Sequence, residues 1–142
     1  MKTILLYSVF LREIMESSQL ELHVVWAVGM HHHGPRELAL GTKYYCKVEP
    51  ENPFDSNAIA IFDKERSDRV LAYLRKHDAA YVAKLISSKE CDLEIALKPV
   101  ESPVVWNKRT GPQQKCILFV NANSKVVCRI LSGSGISVVE ID

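Results

Sequence analysis

The sequence predicts a mainly β protein, a small barrel or sandwich with one or two short α-helices. Three observations lead to this fold class. Segments of alternating apolar and polar residues recur along the chain and suit seven or eight short strands. Turn residues separate these segments at regular intervals, and few stretches have the spacing of an amphipathic helix.

The size and charge of the chain limit what it can be. Its 142 residues suit one domain with a real core. Eighteen basic and seventeen acidic residues give a net charge of +1, so any nucleic-acid binding must be local. We divide the chain into an N-terminal appendage or packed helix, 1–19, and a barrel domain, 20–142. The apolar run Met1–Leu11 is a poor signal peptide and too short to span a membrane, and we expect no membrane association.

The first half of the chain predicts a strand, a turn and a second strand. Leu20–Val28 has a period of two, which places Leu22, Val24, Trp26 and Val28 on one face. Gly29–Arg36 ends that strand. The second strand, Thr42–Val48, alternates Tyr44, Cys46 and Val48 with Lys43, Tyr45 and Lys47.

A hairpin and a helix follow. Ala58–Phe62 and Val70–Leu74 form the predicted hairpin, whose charged tip is Asp63–Arg69. We expect His77 and Asp78 to cap the helix that comes next. Its apolar stripe toward the sheet consists of Ala79, Val82, Leu85 and Ile86.

The second half of the chain predicts four more strands. The first is Asp92–Lys98, with Leu93, Ile95 and Leu97 inward. Gln114–Val120 and Lys125–Leu131 form two strands around an Asn121–Ser124 turn. Ile136–Ile141 closes the chain.

The four cysteines are predicted to be reduced core residues of an intracellular protein. Cys46, Cys91, Cys116 and Cys128 lie far apart without a CxxC pair, each in an apolar or alternating run. Disulfides or a zinc site are the alternatives.

The loop Glu49–Asn57 is the most informative stretch. Pro50 and Pro53 exclude a helix, and Asn52 and Asp55 are residue types that stabilise turns through the backbone. Phe54 is an aromatic ring on this polar loop. It is either a plug over the core or a platform for a ligand.

These residues resemble a known family. Glu49-Pro-Glu-Asn-Pro-Phe-Asp-Ser-Asn-Ala-Ile, followed by Val70-Leu-Ala-Tyr-Leu-Arg-Lys and an alanine-rich helix, is similar to the HIRAN domain. The similarity runs from about Val24 to Ile86. HIRAN domains are known as DNA-binding modules of fork-remodelling helicases, which associates them with DNA repair and the replication fork. The resemblance narrows the fold to an OB-like barrel and implies capture of the free 3′ end of single-stranded DNA.

The resemblance also implies binding residues. It assigns base stacking to Phe54, recognition of the 3′-hydroxyl to Asp55 and a supporting role to Asn52. A basic-aromatic-aromatic run of the family corresponds to His31, His32 and His33, of which His31 and His32 are expected to line the site. Tyr73, Arg75 and Lys76 match the positions of backbone contacts. An aromatic side chain on a later family loop suggests Trp106, with Lys108 and Arg109 beside it.

The assignments to Asp55 and to the histidines have alternatives. Asp55 can simply hold the turn. The histidines depart from the family pattern, because histidine is mostly uncharged at neutral pH and contacts phosphate weakly. His31 and His33, with His23, could share a metal, although no carboxylate or cysteine stands at a known ligand spacing.

We therefore predict a binding module and not an enzyme. No nucleophile, phosphate-binding or metalloprotease motif occurs, and no cofactor is expected. The expected partner is a single-stranded DNA 3′ end, bound by a monomer in the nucleus or elsewhere inside the cell. The alternative is a protein-interaction domain that has kept the barrel and lost DNA binding.

Overall fold

Seven strands make one sheet in the computed structural model of the chain, which describes residues 17–34, 37–88, 95–105, 109 and 111–141. The strands of this described part are β1 (Ser18–Val28), β2 (Tyr44–Val48), β3 (Ile59–Phe62), β4 (Ala72–Leu74), β5 (Ile95–Pro99), β6 (Gln113–Ala122) and β7 (Ser137–Glu140). A 3₁₀ turn, Met30–His32, follows β1. The helices are α1 (Lys76–Ser87) and α2 (Ser124–Ile130).

Antiparallel pairing closes six of these strands into a barrel. The order is β4-β3-β2-β5-β6-β1, and β1 returns to β4 through Ala27 opposite Leu74 and Val28 opposite Tyr73. β7 lies outside the closed ring, on the first half of β1. The predicted barrel with short helices is confirmed.

A β-bulge separates the part of β1 that pairs with β7 from the part that pairs with β4. Leu22 lies opposite Leu118 and Val25 opposite Cys116, so β1 has one extra residue there, next to Val24 at φ 66°. The bulge reverses the alternation. Leu20 and Leu22 are buried before it and Val25 and Ala27 after it. The prediction of one unbroken alternation that pairs Leu22 with Val24 was therefore wrong.

The barrel interior is filled from the six strands of the closed ring. Ile61, Leu97 and Leu118 are fully buried, and each such side chain stabilises the fold by about 1.5–3 kcal/mol. Tyr44 and Cys46 of β2 point inward. Ile95 and Leu97 of β5 also point inward, as predicted. Leu93 lies outside the described residues.

Helix α1 packs on the barrel through Ala79, Val82 and Leu85, which are buried as predicted. The prediction of its cap was wrong. The residue before the helix is Arg75, which makes no capping bond with its side chain. Asp78 lies in the first turn, fully buried, and its Oδ2 accepts a hydrogen bond from the Trp26 backbone N–H at 2.9 Å. This carboxylate ties α1 to β1.

The predicted strand Lys125–Leu131 was also wrong, because this segment is helix α2. Asn123 caps it, and its Oδ1 accepts from the backbone N–H groups of Lys125 at 3.0 Å and Val126 at 3.2 Å. Val126 and Val127 are both buried. Two adjacent inward residues suit a helix and not a strand with one buried face.

The cysteines divide by position. Cys46 and Cys116 are buried in the barrel, as predicted, whereas Cys128 is exposed on α2, contrary to the prediction. Cys91 and residues 1–16, including most of the predicted appendage, lie outside the described residues. Neither helix in the described part of the chain is long and apolar enough to cross a membrane.

Candidate nucleic-acid interface

The loop between β2 and β3 has a defined backbone. The Glu49 N–H donates to the Ala58 carbonyl at 2.8 Å, and the Ala58 N–H donates to the Asp55 carbonyl at 3.0 Å. Between them, the Asn52 N–H bonds to the Glu49 carbonyl at 3.0 Å. Two prolines and these hydrogen bonds preorganise the loop for binding.

The Asn52 side chain holds the tip of this loop. Its Oδ1 accepts from the backbone N–H groups of Phe54 at 2.9 Å and Asp55 at 3.1 Å. Its Nδ2 donates to Glu49 Oε1 at 3.1 Å. Asn52 therefore orients the two residues that follow Pro53.

Phe54 is not a plug over the core. Its side chain is 93 % exposed, the most exposed large apolar residue in the described part of the chain. A ring exposed in this way is free to stack on a base or on another planar group.

Asp55 has one oxygen engaged and one available. Its Oδ1 accepts from the Asn57 N–H at 2.9 Å, which is the turn-holding role. Within the described residues, Oδ2 has no hydrogen-bond donor. The half-exposed carboxylate can accept a bond from a hydroxyl placed beside the Phe54 ring.

Tyr73 connects the loop to β4. Its hydroxyl donates to Glu49 Oε1 at 2.9 Å, the same oxygen that accepts from Asn52. Burial raises the pKa of Tyr73, and the hydrogen bond and negative charge of Glu49 raise it further. Tyr73 therefore remains a neutral donor at physiological pH.

The histidine run occupies the 3₁₀ turn after β1. Gly29 at φ 77° lets the chain turn, and buried Met30 anchors the segment. His31 and His32 are exposed, with ring centroids 3.8 Å apart. His33, which the prediction did not list among the site residues, lies with its ring centroid 5.7 Å from that of Tyr73.

The His31 ring also lies against Gly111. A Cβ at Gly111 would lie 2.5 Å from His31 Cε1, so the exposed His31 ring would have to move aside, and the φ of 69° at Gly111 favours glycine there. The histidine turn thus contacts the segment that leads into β6. The neighbouring Trp106 and Lys108 lie outside the described residues, and Arg109 is exposed.

The predicted cationic side chains differ in their exposure and in their ion pairing. Arg75 Nη2 donates to Asp78 Oδ1 at 3.0 Å, while its Nε is buried without a partner in the described residues. Lys76 is exposed at the start of α1. Arg69, expected to lie on a solvated hairpin tip, places Nη2 3.3 Å from the position of a Cβ at Gly34. It adds a positive charge beside the histidine turn.

A chain of contacts therefore connects three parts of the predicted site. It runs from His33 through Tyr73 and Glu49 to Asn52. Sequence reasoning missed Glu49, His33 and Arg69. Beyond the place of Glu49 at the head of the motif, the sequence carried no signal of its contact with Tyr73.

The residues that the structure describes form no metal site. No group of three His, Cys, Asp or Glu side chains there could hold an ion. His23 Nε2 instead lies 3.1 Å from Glu21 Oε1 on β1.

Comparison with known proteins places this geometry in a family. The sequence profile of the HIRAN domain matches residues 20–113. The fold is similar to a crystal structure of the HIRAN domain of human HLTF, with TM-score 0.59 and 18 % identity over 85 % of this chain and 94 % of that one.

A solution NMR structure of the same human domain gives TM-score 0.57 and 20 % identity over 89 % of this chain and 98 % of that one. No curated protein matches the sequence. Since the profile covers most of the chain, the protein belongs to the HIRAN domain family.

Proposed function

We propose that this domain binds single-stranded DNA and captures its free 3′-hydroxyl end. The observation that carries the proposal is the pair Phe54 and Asp55 on a loop held by Asn52. The Phe54 ring is exposed, and Asp55 has a carboxylate oxygen that accepts from no donor in the described part of the chain. The terminal base stacks on Phe54, which contributes about 1–3 kcal/mol whatever the base.

The terminal hydroxyl donates to Asp55 Oδ2. A 3′-phosphate in the same place meets a like charge and is repelled. This difference is what makes the site selective for a free end.

The remaining predicted residues surround this pair. Tyr73 and the histidines His31 and His32 supply rings and polar groups, and His33 packs on Tyr73. Lys76 and the outer part of Arg75 contact the phosphates and position the strand without reading its sequence. Two phosphate contacts imply a shallow salt dependence, since each changes the slope of log K against log salt by about 0.7 on single strands.

Fluorescence anisotropy with a labelled strand of about ten nucleotides tests the proposal. The wild type is expected to prefer a 3′-hydroxyl over a 3′-phosphate end, and Asp55→Ala to lose that preference. Phe54→Ala should weaken binding to both ends by about tenfold, the loss of one stacked base.

Phe54→Tyr is the matched control and should bind like the wild type. Equal binding of free and phosphorylated ends by the wild type would contradict end capture.

A protein-interaction role is the second candidate. Leu40 and Val105 are 56 % and 61 % exposed, and the Gly41 N–H to Pro99 carbonyl bond joins the loops that carry them. A partner that binds this surface should survive the double change Phe54→Ala and Asp55→Ala and be lost with Leu40→Asp. Purified domain and partner in a pull-down distinguish the two surfaces.

Assembly, location and activity follow from the main proposal. We propose a non-catalytic monomer that acts where single-stranded DNA arises, in the nucleus or elsewhere inside the cell, at sites of DNA repair or at replication forks. Light scattering of the free and DNA-bound protein checks the monomer, and microscopy of a tagged protein checks the location.

A further inference from the structure

A groove on the outer surface of the barrel shares no residue with the Phe54 loop. It encloses about 310 Å³ and lies across β2, β5 and β6, reaching the beginning of β1. On β2, Tyr45 is the groove residue nearest to the loop that begins at Glu49, so about 13 Å of extended chain separates the two.

The floor of the groove is set by strand register. Ala96 on β5 lies directly opposite Tyr45 on β2 and opposite Phe119 on β6. Residues paired in this way point to the same face of a sheet. A methyl group between two aromatic rings leaves a notch with a flat apolar wall on each side.

Two lysines stand over these walls. Lys43 Nζ lies 5.3 Å from the Tyr45 ring centroid, and Lys98 Nζ lies 5.5 Å from the Phe119 centroid. Tyr44 pairs with Leu97, so Lys43 and Lys98 are next in register on neighbouring strands. Like charges in that position repel each other.

Nothing in the described part of the chain neutralises this pair. No carboxylate bonds to either lysine there, and no Asp or Glu lines the groove. Glu21 lies opposite Phe119 on β1, but its carboxylate faces His23 at 3.1 Å. An anion placed between the two lysines would relieve their repulsion.

Polar side chains close one end of the groove. Gln19 and Asn121 are paired across β1 and β6, and both line it. Their amides carry donors and acceptors, the groups that bond to the edge of a base. The groove thus combines flat apolar walls, two cations and an uncharged polar end.

We propose that this groove is a second binding site, which takes one nucleotide unit of a single-stranded nucleic acid. The base lies between Tyr45 and Phe119 and reaches the amides of Gln19 and Asn121. Lys43 and Lys98 move from the rings to the phosphate. A volume at the lower end of the range for small-ligand sites, about 300–1,000 Å³, fits one such unit.

An acidic peptide fits these features less well. Its carboxylates satisfy the lysines, but they leave the two ring faces without a planar partner. Aromatic walls together with positive charge are the combination that single-stranded nucleic acids use.

Nuclear magnetic resonance of the ¹⁵N-labelled chain tests the proposal, with a 3′-phosphorylated oligothymidylate of about five nucleotides as the probe. The blocked end disfavours the Asp55 site. The amides of Tyr45, Ala96 and Phe119 are expected to shift on titration. Lys98→Glu should weaken this binding by about tenfold, the loss of one charged contact. Lys43→Glu with Lys98→Glu should flatten the salt slope by about 0.7, which corresponds to the one phosphate that both lysines contact.

Lys125→Glu is the matched control, since it makes the same charge change on an exposed lysine of α2 and should leave the shifts unchanged. Asp55→Ala should also leave them unchanged, so that failure of end capture and failure of this site are distinguishable. Unmoved groove amides, or an affinity that is unchanged in Lys98→Glu, would overturn the proposal. So would shifts produced by an acidic tyrosine-containing peptide and not by the oligothymidylate.

Discussion

Glu49 joins two parts of the candidate interface, the loop after β2 and strand β4. The motif drew attention to its neighbours Phe54 and Asp55 instead. One carboxylate oxygen accepts from the Tyr73 hydroxyl and from Asn52 Nδ2. A glutamate before a proline has no distinctive pattern, so sequence reasoning passed over it. Its role depends on β3 and β4 bringing Tyr73 back beside the end of β2, where Ala60 pairs with both Lys47 and Tyr73.

Removing the charge of Glu49 should lower the pKa of Tyr73. In the wild type, burial and the contact with Glu49 hold that pKa above the ordinary value of about 10. A raised pKa in the folded state adds stability below pH 10 that is lost as pH rises through the raised value. Glu49→Gln keeps an acceptor but not the charge, so its Tyr73 should ionise at lower pH.

Ultraviolet absorbance of tyrosinate across an alkaline titration measures this shift, with Tyr73→Phe as the reference that identifies the Tyr73 signal. Urea unfolding should show the stability advantage of the wild type over Glu49→Gln shrinking above about pH 10. Identical tyrosinate titrations for wild type and Glu49→Gln would contradict the assigned cause.

At the scale of elements, α2 shows how a cap overrides a strand-like composition. Val126, Val127 and Ile130 favour strands by propensity. Asn123 captures two N–H groups at the start of the segment, and the inward residues then meet the core with helical spacing. A seven-residue helix is too short to persist alone, so its packing and its cap are both needed.

Asn123→Ala should therefore lower the free energy of unfolding by about 1 kcal/mol, because two N–H groups lose their acceptor. Chemical denaturation monitored by circular dichroism measures the change. Asn123→Asp keeps a capping oxygen and should retain most of the stability. An alanine variant as stable as the wild type would mean that the cap contributes nothing.

At the scale of the whole molecule, closure of the barrel decides which groups can react. β1 pairs with β6 along its length and with β7 and β4 along its other edge. Cys46 and Cys116 lie inside this ring, and burial raises the pKa of both thiols, that of Cys116 to about 12. Thiols held neutral and covered react poorly.

Alkylation near pH 8 should label Cys128 rapidly and leave Cys46 and Cys116 unmodified until the barrel opens as a whole. Peptide mapping by mass spectrometry resolves the sites over time. Addition of denaturant below the unfolding midpoint should accelerate labelling of the two buried thiols together, since both depend on global opening. Labelling of Cys46 or Cys116 at the rate of Cys128 would contradict a closed barrel.

The sequence by itself determined the fold class, the existence and order of most strands, the loop Glu49–Asn57 and the family. These properties are local: alternation, turn residues and a contiguous motif are written in neighbouring positions. The same locality makes Phe54 and Asp55 recognisable as a pair. Their separate roles in binding stay predictions.

Only the tertiary structure decided which residues share a surface. The bulge at Val24, the contact of His33 with Tyr73 and the row of Tyr45, Ala96 and Phe119 depend on register between strands distant in the chain. Register fixes which residues face one another, and one added residue in a strand reverses its faces. No local pattern in the sequence carries that information. The outer groove could therefore be identified only from the tertiary structure.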